Sequence, residues 1–349
     1  MPHVKETIKG LIGKSEKPLA THHPITMRNA IFSIAVGLAA AVGCASAFSQ
    51  VAYPDRPIKL IVGIGAGSAT DTIARLISRK LTERLPQPVV VDNRVGAGGT
   101  VAAEAVAKAP PDGYTLLWGT SSVPIFRHMY TLRFDPEKDL VPVGAVAEGA
   151  MVLMVRVDDK AQTVAELIAR AKEKPKAVSY ASAGVGSNAH LASEVFGQTA
   201  GVDFLHVPYK SSAAGLVDLR AGQIDFIFDA LATVTPQVKA KVVKALAVTT
   251  TTRSSFMPDV PTMNEAGIKG FAHPVWFMVF APAGTPKPVV DRLSTEMREI
   301  VSQPSFREEL AGFGLEPFAA TSSDALAVHI HKESEAWNQK VISMKLQLR

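Results

Sequence analysis

The sequence predicts an α/β protein built from two doubly wound domains, joined by a two-strand hinge with a cleft between them. Three observations lead there. From Tyr53 onward, short β-branched runs alternate with longer amphipathic ones. The short runs are apolar throughout, as strands covered on both faces require. The alternation also restarts after an extended segment near residue 150 and gives way to another near residue 276.

In the first series, Ile58 to Ile64 reads as a buried strand, Ala69 to Leu85 as a helix and Val89 to Asn93 as a strand. Thr100 to Lys108 reads as a helix and Thr115 to Trp118 as a strand. Such units predict parallel strands with right-handed crossovers and a ligand-bearing edge at the strands' carboxyl ends. After the extended segment Met151 to Val157, the second series has helices at Val164 to Lys174, Asn188 to Ala200 and Ala213 to Ala221. Its strands are Val178 to Ala181, Phe204 to Val207, Ile224 to Phe228 and Ala245 to Thr249. The extended segment Trp276 to Ala281 then leads into helices near Pro288 to Val301, Ser305 to Ala311 and Asp324 to Gln339. If those helices pack on the first series, residues 53–150 with 276–349 make one domain and residues 151–275 the other, and the two crossings form a hinge.

Residues 1–47 read as an N-terminal extension and a secretory leader. Arg28 precedes an apolar run from Ala30 to Val42, followed by the small-residue cleavage site Ala45-Ser46-Ala47. That run is shorter than the roughly 18 to 20 residues of a permanent membrane helix, and translation from Met27 rather than Met1 would give the better leader. Cys44, the only cysteine, follows Ala41-Val42-Gly43, a weak lipoprotein box lacking its preferred Leu. The sequence therefore favours cleavage after Ala47 and a periplasmic protein without cysteine, disulfide or thiolate chemistry. Cleavage there removes five basic and two acidic residues, so the formal charge falls from +5 to about +2. No basic stripe interleaved with aromatics remains, which removes the case for nucleic acid as a partner.

Two glycine-rich loops sit between a strand and a helix. The first is Gly65-Ala66-Gly67-Ser68-Ala69-Thr70-Asp71 and the second Ala183-Gly184-Val185-Gly186-Ser187-Asn188-Ala189-His190. Glycines turn the backbone tightly and leave helix-start amides facing an anion, with Ser68, Thr70 and Ser187 adding hydroxyls. Singly, each is also what any helix with a Ser or Thr cap looks like; as a pair facing across a cleft they suit a carboxylate. Asp71 fits a helix-dipole cap as well as a ligand contact. Asp229, ending a strand, suits either a ligand amine or hydroxyl, or a cap for the segment after it. Tyr209 and Trp276 are candidate cleft walls or packed aromatics.

Gly184-x-Gly186-x-x-Ala189 formally fits a dinucleotide fingerprint, the basis for an alternative NAD-dependent oxidoreductase. The acid expected on the ribose is missing from that unit, and Asp92 belongs to the other. Neither loop carries a P-loop lysine, no G-x-S-x-G elbow is present, and His128, His190, His206, His273, His329 and His331 lack metal-ligand spacing. The reading is accordingly a non-enzymatic binding protein without cofactor or metal.

Several segments together resemble the Bug-type receptors of tripartite tricarboxylate transporters. They include Tyr53-Pro54-Asp55-Arg56-Pro57, Val91-Asp92-Asn93-Arg94 with Gly96-Ala97-Gly98-Gly99, and Pro111-Asp112-Gly113-Tyr114. His206-Val207-Pro208-Tyr209-Lys210, Pro258-Asp259-Val260-Pro261-Thr262 and Ala281-Pro282-Ala283-Gly284-Thr285-Pro286 extend the match. The resemblance implies a type II periplasmic-binding-protein fold and a monomeric receptor. It implies capture of a small organic acid or amino acid for integral-membrane permease subunits, or, in a sensor, for a signalling partner. Carried over by position, the ligand contacts are Gly67, Ser68, Thr70, Asp71, Thr120, Ser121, Ser182, Gly184, Ser187 and His190, with Asp229 added. The first loop departs from the family in having Gly63, Gly65 and Ala66 where prolines are usual, which loosens it.

Overall fold

A computed structural model describes residues 53–319 and 322–344; the leader, Cys44 and both candidate start residues lie outside the described residues. The chain opens with β1 (Ile58–Val62), α1 (Ala69–Arg84), β2 (Val89–Asn93), α2 (Thr100–Ala107) and β3 (Thr115–Thr120), then a short helix α3 (Phe126–Met129) and β4 (Leu140–Gly149). Next come β5 (Met151–Arg156), α4 (Val164–Glu173), β6 (Ser179–Ser182), α5 (Asn188–Ala200), β7 (Leu205–Pro208), α6 (Ser212–Arg220), β8 (Phe226–Ala230), α7 (Leu231–Lys239) and β9 (Val243–Val248). β10 (Val275–Pro282), α8 (Lys287–Ser302), α9 (Pro304–Gly312), β11 (Glu316–Pro317) and α10 (Ser323–Met344) complete it. No helix among the described residues is long and apolar enough to cross a membrane.

The strands form a six-stranded sheet in the order β11-β4-β10-β3-β1-β2 and a five-stranded sheet in the order β7-β6-β8-β5-β9. The expected parallel pairing holds for β1 with β2 and β3, and for β6 with β7 and β8. Both sheets are mixed, because the two extended segments near residues 151 and 276 join them as antiparallel strands. β10 runs antiparallel to β3 and β4, and β5 antiparallel to β8 and β9. Connectivity explains it. β4 carries the chain out of the first sheet through buried Ala150 and β10 brings it back, so the pair must run in opposite senses. β5 and β9 are the corresponding entry and exit of the second sheet.

β4 and α7 had no counterpart in the sequence reading, because β4 contains Pro142, Gly144 and Gly149 and α7 contains Pro236. Pro142 stands opposite Phe280 beside a register shift, where a missing N–H does least harm. A Cβ at Gly144 would meet Met297 Sδ at 2.9 Å, so that side chain would have to move aside for any larger residue.

The helices follow their apolar periodicity. α1 buries Ile73, Leu76, Ile77 and Leu81, and α8 buries Val290, Leu293, Met297 and Ile300. Arg84 joins the two helices through Glu296 at 2.5 Å and through Glu299. All eight residues of β10 are buried, and Phe277 stacks on Trp118 at 5.7 Å. In the five-stranded sheet, buried Phe226 packs edge-on to Phe204 at 4.9 Å and stacks on Tyr180 at 5.5 Å. We expect Phe226→Ala to cost about 3–5 kcal/mol of unfolding free energy, read as a lowered urea midpoint with an unchanged slope.

Candidate ligand-binding cleft

The two glycine-rich loops place the starts of α1 and α5 on one cavity. Ser68 has extended backbone and caps α1, its Oγ accepting from Asp71 N at 3.2 Å while its carbonyl accepts from Thr72 N at 2.9 Å. Ser187 caps α5 in the same way, accepting from His190 N and donating to Gly184 O at 2.8 Å. A helix start has four N–H groups without intrahelical partners, and the caps take up the later ones. The N–H groups of Ala69, Thr70, Asn188 and Ala189 are left over, and all four residues line the cavity. Thr70 adds a hydroxyl that makes no hydrogen bond within the described residues.

Glycine permits the loops to touch. A Cβ on Gly98, whose φ is +62°, would lie 2.2 Å from Val185 O, and one on Gly186 would lie 2.8 Å from Tyr130 Oη. Tyr130 Oη donates to Val185 O at 2.5 Å, and Ser121 Oγ donates to Asn188 Oδ1 at 3.1 Å. Each of these contacts joins a loop of the six-stranded sheet to a loop of the five-stranded sheet, so the cleft is closed.

Of the residues singled out in the sequence, Ser68, Thr70, Thr120, Ser187 and Asp229 line the cavity, whereas Gly67, Asp71, Ser121, Ser182, Gly184 and His190 do not. Asp71 turns back into its own loop, accepting from Gly67 N at 3.0 Å, Arg75 Nε at 2.9 Å and Asn93 Nδ2 at 2.9 Å. Burial raises its pKa, but those hydrogen bonds outweigh burial and hold the carboxyl below its usual range. Gly67 is exposed and supplies the positive φ of +80° that the loop needs. Ser121 is consumed by Asn188 and its neighbour Ser122 faces the cavity instead.

Ser182 and His206 share a 2.6 Å hydrogen bond, a spacing that would suit a nucleophile and its base. Ser182, however, is fully buried, and its Oγ also donates to Gly184 O and accepts from Gly184 N, both at 3.1 Å. Ser182 shapes the second loop and is closed to a substrate, whereas His206 is partly exposed. Gly184, with φ of +107°, is the turn that Ser182 holds. His190 lies behind this loop, its Nδ1 accepting from Gly186 N at 3.2 Å and its ring 4.4 Å from that of His206. Burial, and then the neighbouring His206, push the His190 imidazole down to about 3, and burial pushes His206 down to about 4. No cluster of His, Cys, Asp or Glu able to hold a metal occurs among the described residues.

Tyr209 and Trp276 are not cleft walls. Tyr209 Oη donates to Asp218 at 2.6 Å and Trp276 Nε1 donates to Glu333 at 2.7 Å. Phe277, the next residue of β10, lines the cavity because successive side chains of a strand point to opposite faces. Ser212, at the start of α6, also lines it and had escaped notice, since a Ser-Ser pair before a helix carries no signal beyond capping.

Asp229 is the one titratable side chain lining the cavity among the described residues. It is 7% exposed; Ala230 N donates to its Oδ1 at 2.8 Å, and burial pushes the carboxyl up to about 6, partly offset by Ala230, Ser212 and Thr233.

The architecture is that of a type II periplasmic binding protein, with two α/β sheets and a closed cleft at their loop edges. Residues 73–346 match the family described as the tripartite tricarboxylate transporter family receptor. A UPF0065 protein from the tcbD-tcbE intergenic region of Pseudomonas sp. strain P51 is 38% identical over 317 residues, covering 90% of this chain and 94% of that one. Protein BugT of Bordetella pertussis is 36% identical over 301 residues, 85% of this chain and 92% of its own. Among solved structures, the periplasmic binding protein BugD is similar with a TM-score of 0.80 and 33% identity, covering 84% of this chain and 99% of that one. Rpa4515 of R. palustris with adipate has a TM-score of 0.79 and 34% identity, covering 84% and 98%. MatC of Rhodopseudomonas palustris with bound malate has a TM-score of 0.78 and 31% identity, covering 82% and 99%. The chain belongs to this receptor family, and is a solute-binding receptor of the Bug type.

The folded-state value of Asp229 lies above that of an ordinary aspartate, so the folded protein holds the proton more tightly than the unfolded chain. The contribution of this carboxyl to stability is therefore fully present below about pH 4 and is lost as pH rises through about 6. Asp229→Asn abolishes that fall. Between pH 4 and pH 8, we expect the variant to gain on the order of 2–3 kcal/mol relative to the parent protein in urea unfolding.

Proposed function

We propose that this protein is an extracytoplasmic receptor, rather than an enzyme, that captures a small carboxylic acid by closing two lobes upon it. Residues 53–150 with 276–349 form one lobe and residues 151–275 the other. The closed complex then delivers the acid to integral-membrane partner subunits, with the periplasm as its place of work.

The observation that carries this reading is the convergence of four unpaired backbone N–H groups, at Ala69, Thr70, Asn188 and Ala189, on one cavity. Each helix start favours an anion by about 0.3–2 kcal/mol, and hydrogen bonds to a charged acceptor contribute about 1.5–3 kcal/mol each. The Thr70 hydroxyl, and one hydroxyl of the mutually bonded Thr120–Ser122 pair, extend the donor set. A carboxylate, flat and with two acceptor oxygens, is the group that such an array fits. The bound adipate and malate of the relatives support the same ligand class.

A thermal-shift screen of the mature protein against mono-, di- and tricarboxylates, with NAD as control, tests the proposal. A ligand that binds only the folded state must raise the melting temperature with dose. One acid class is expected to do so, and Thr70→Val is expected to weaken its binding roughly 10- to 100-fold with the unliganded melting temperature little changed. Stabilisation by NAD alone, or by no acid, would contradict the proposal.

A further inference from the structure

We infer that Asp229, with Ser212 beside it, is a second subsite of the cleft that selects acids bearing an alcohol hydroxyl or an ammonium group over the same acid without one. The inference rests on the proposal that the cleft holds a carboxylic acid, and adds which acids it prefers.

The donors that suit a carboxylate come from the starts of α1 and α5 and from Thr120 and Ser122 after β3. Asp229 is the one strong acceptor among the described side chains lining the same cavity, at the end of β8. Its Oδ1 takes the Ala230 N–H at 2.8 Å, whereas its Oδ2 is buried without a partner at hydrogen-bonding distance, the nearby Ser212 and Thr233 hydroxyls lowering the carboxyl's pKa only in part. No Lys, Arg or His among the described residues lines the cavity to supply a counter-charge. Burial pushes the carboxyl up to about 6, so at neutral pH it remains largely an anion. A buried carboxylate oxygen without a close partner is costly, and beyond the neighbouring Ser212 and Thr233 hydroxyls a ligand in the cleft can bring one.

The chemistry of that partner follows. A second carboxylate of the ligand cannot sit against Oδ2 while both are ionised, because like charges in a dry pocket repel. A hydroxyl or ammonium can, and the ammonium also cancels the charge. A site built around a buried hydrogen-bonding group discriminates strongly against a ligand that lacks the matching group, since binding then leaves the protein atom unpaired.

The test is isothermal titration of the full mature protein with two matched sets, succinate, malate and aspartate, and adipate, 2-hydroxyadipate and 2-aminoadipate. In the set whose length fits, the hydroxy or amino acid is expected to bind roughly 10- to 100-fold more tightly than the unsubstituted acid. Asp229→Leu, close in volume and without an acceptor, collapses that ratio to near one while the unsubstituted acid still binds. Asp229→Asn keeps an acceptor but no charge, so it retains a preference for the hydroxy acid and loses one for the amino acid; it also serves should the Leu variant not fold. Equal binding within each set, or a ratio that survives Asp229→Leu, would overturn this inference and leave carboxylate binding standing. Proton uptake on binding an unsubstituted diacid, lost in Asp229→Asn, would overturn it too, by making Asp229 a neutral donor. Failure of all six acids would bring down the receptor proposal and this inference together.

Discussion

The N–H groups left unpaired at the starts of α1 and α5 decide what the cleft can hold. Each helix spends its serine cap on the third N–H of the turn and leaves the first two free, so the floor of the cavity is an array of fixed donors. Backbone dipoles of this kind are preorganised, because the helices behind them are anchored by apolar faces in the two cores. A cationic side chain would attract anions more strongly but less selectively, and would have to be desolvated. Neutral donors recognise the shape of a carboxylate and leave Asp229 as the one charged side chain among the described residues lining the cavity.

That array works only if two loops from different sheets come close together. Gly98 and Gly186 make the approach possible, since a side chain on either would collide with backbone or with Tyr130. What then holds the loops together is modest, chiefly the Tyr130 hydroxyl on Val185 O and the Ser121 hydroxyl on Asn188. Two such hydrogen bonds contribute only about 1–3 kcal/mol net. A bound acid that bridges both helix starts would add more than the protein's own closing contacts do, which is the condition for a ligand to shift an open–closed equilibrium. The glycines that replace the family's prolines in the first loop do not leave it slack. Asp71 binds it through Gly67 and, with Asn93, through the Ile64 carbonyl, so a side-chain network does what fixed φ angles would otherwise do.

Much of this was legible in the sequence. Strands, helices and caps repeated a strand–glycine loop–helix unit in both halves of the chain, and α5 and β2 fall where periodicity put them. The losses have specific causes. β4 and α7 hide behind Pro142, Gly144 and Pro236, residues whose local preference opposes the element that tertiary packing imposes. Trp276 was singled out where Phe277 is the wall, and Ser121 where Ser122 is. Composition marks such segments, but which of two neighbours faces the cavity depends on the phase of the chain, fixed by β10 pairing with β3 and β4. Ser182 and His190 lie in the right loop yet serve its shape, a distinction that rests on burial.

Small-angle X-ray scattering of the mature protein, with and without a saturating acid from the carboxylate screen, bears most directly on capture by closure. The account predicts a smaller radius of gyration with the acid, reaching the value of the closed structure, and a larger one without it. An identical scattering profile in both states, with binding confirmed by titration, would contradict it.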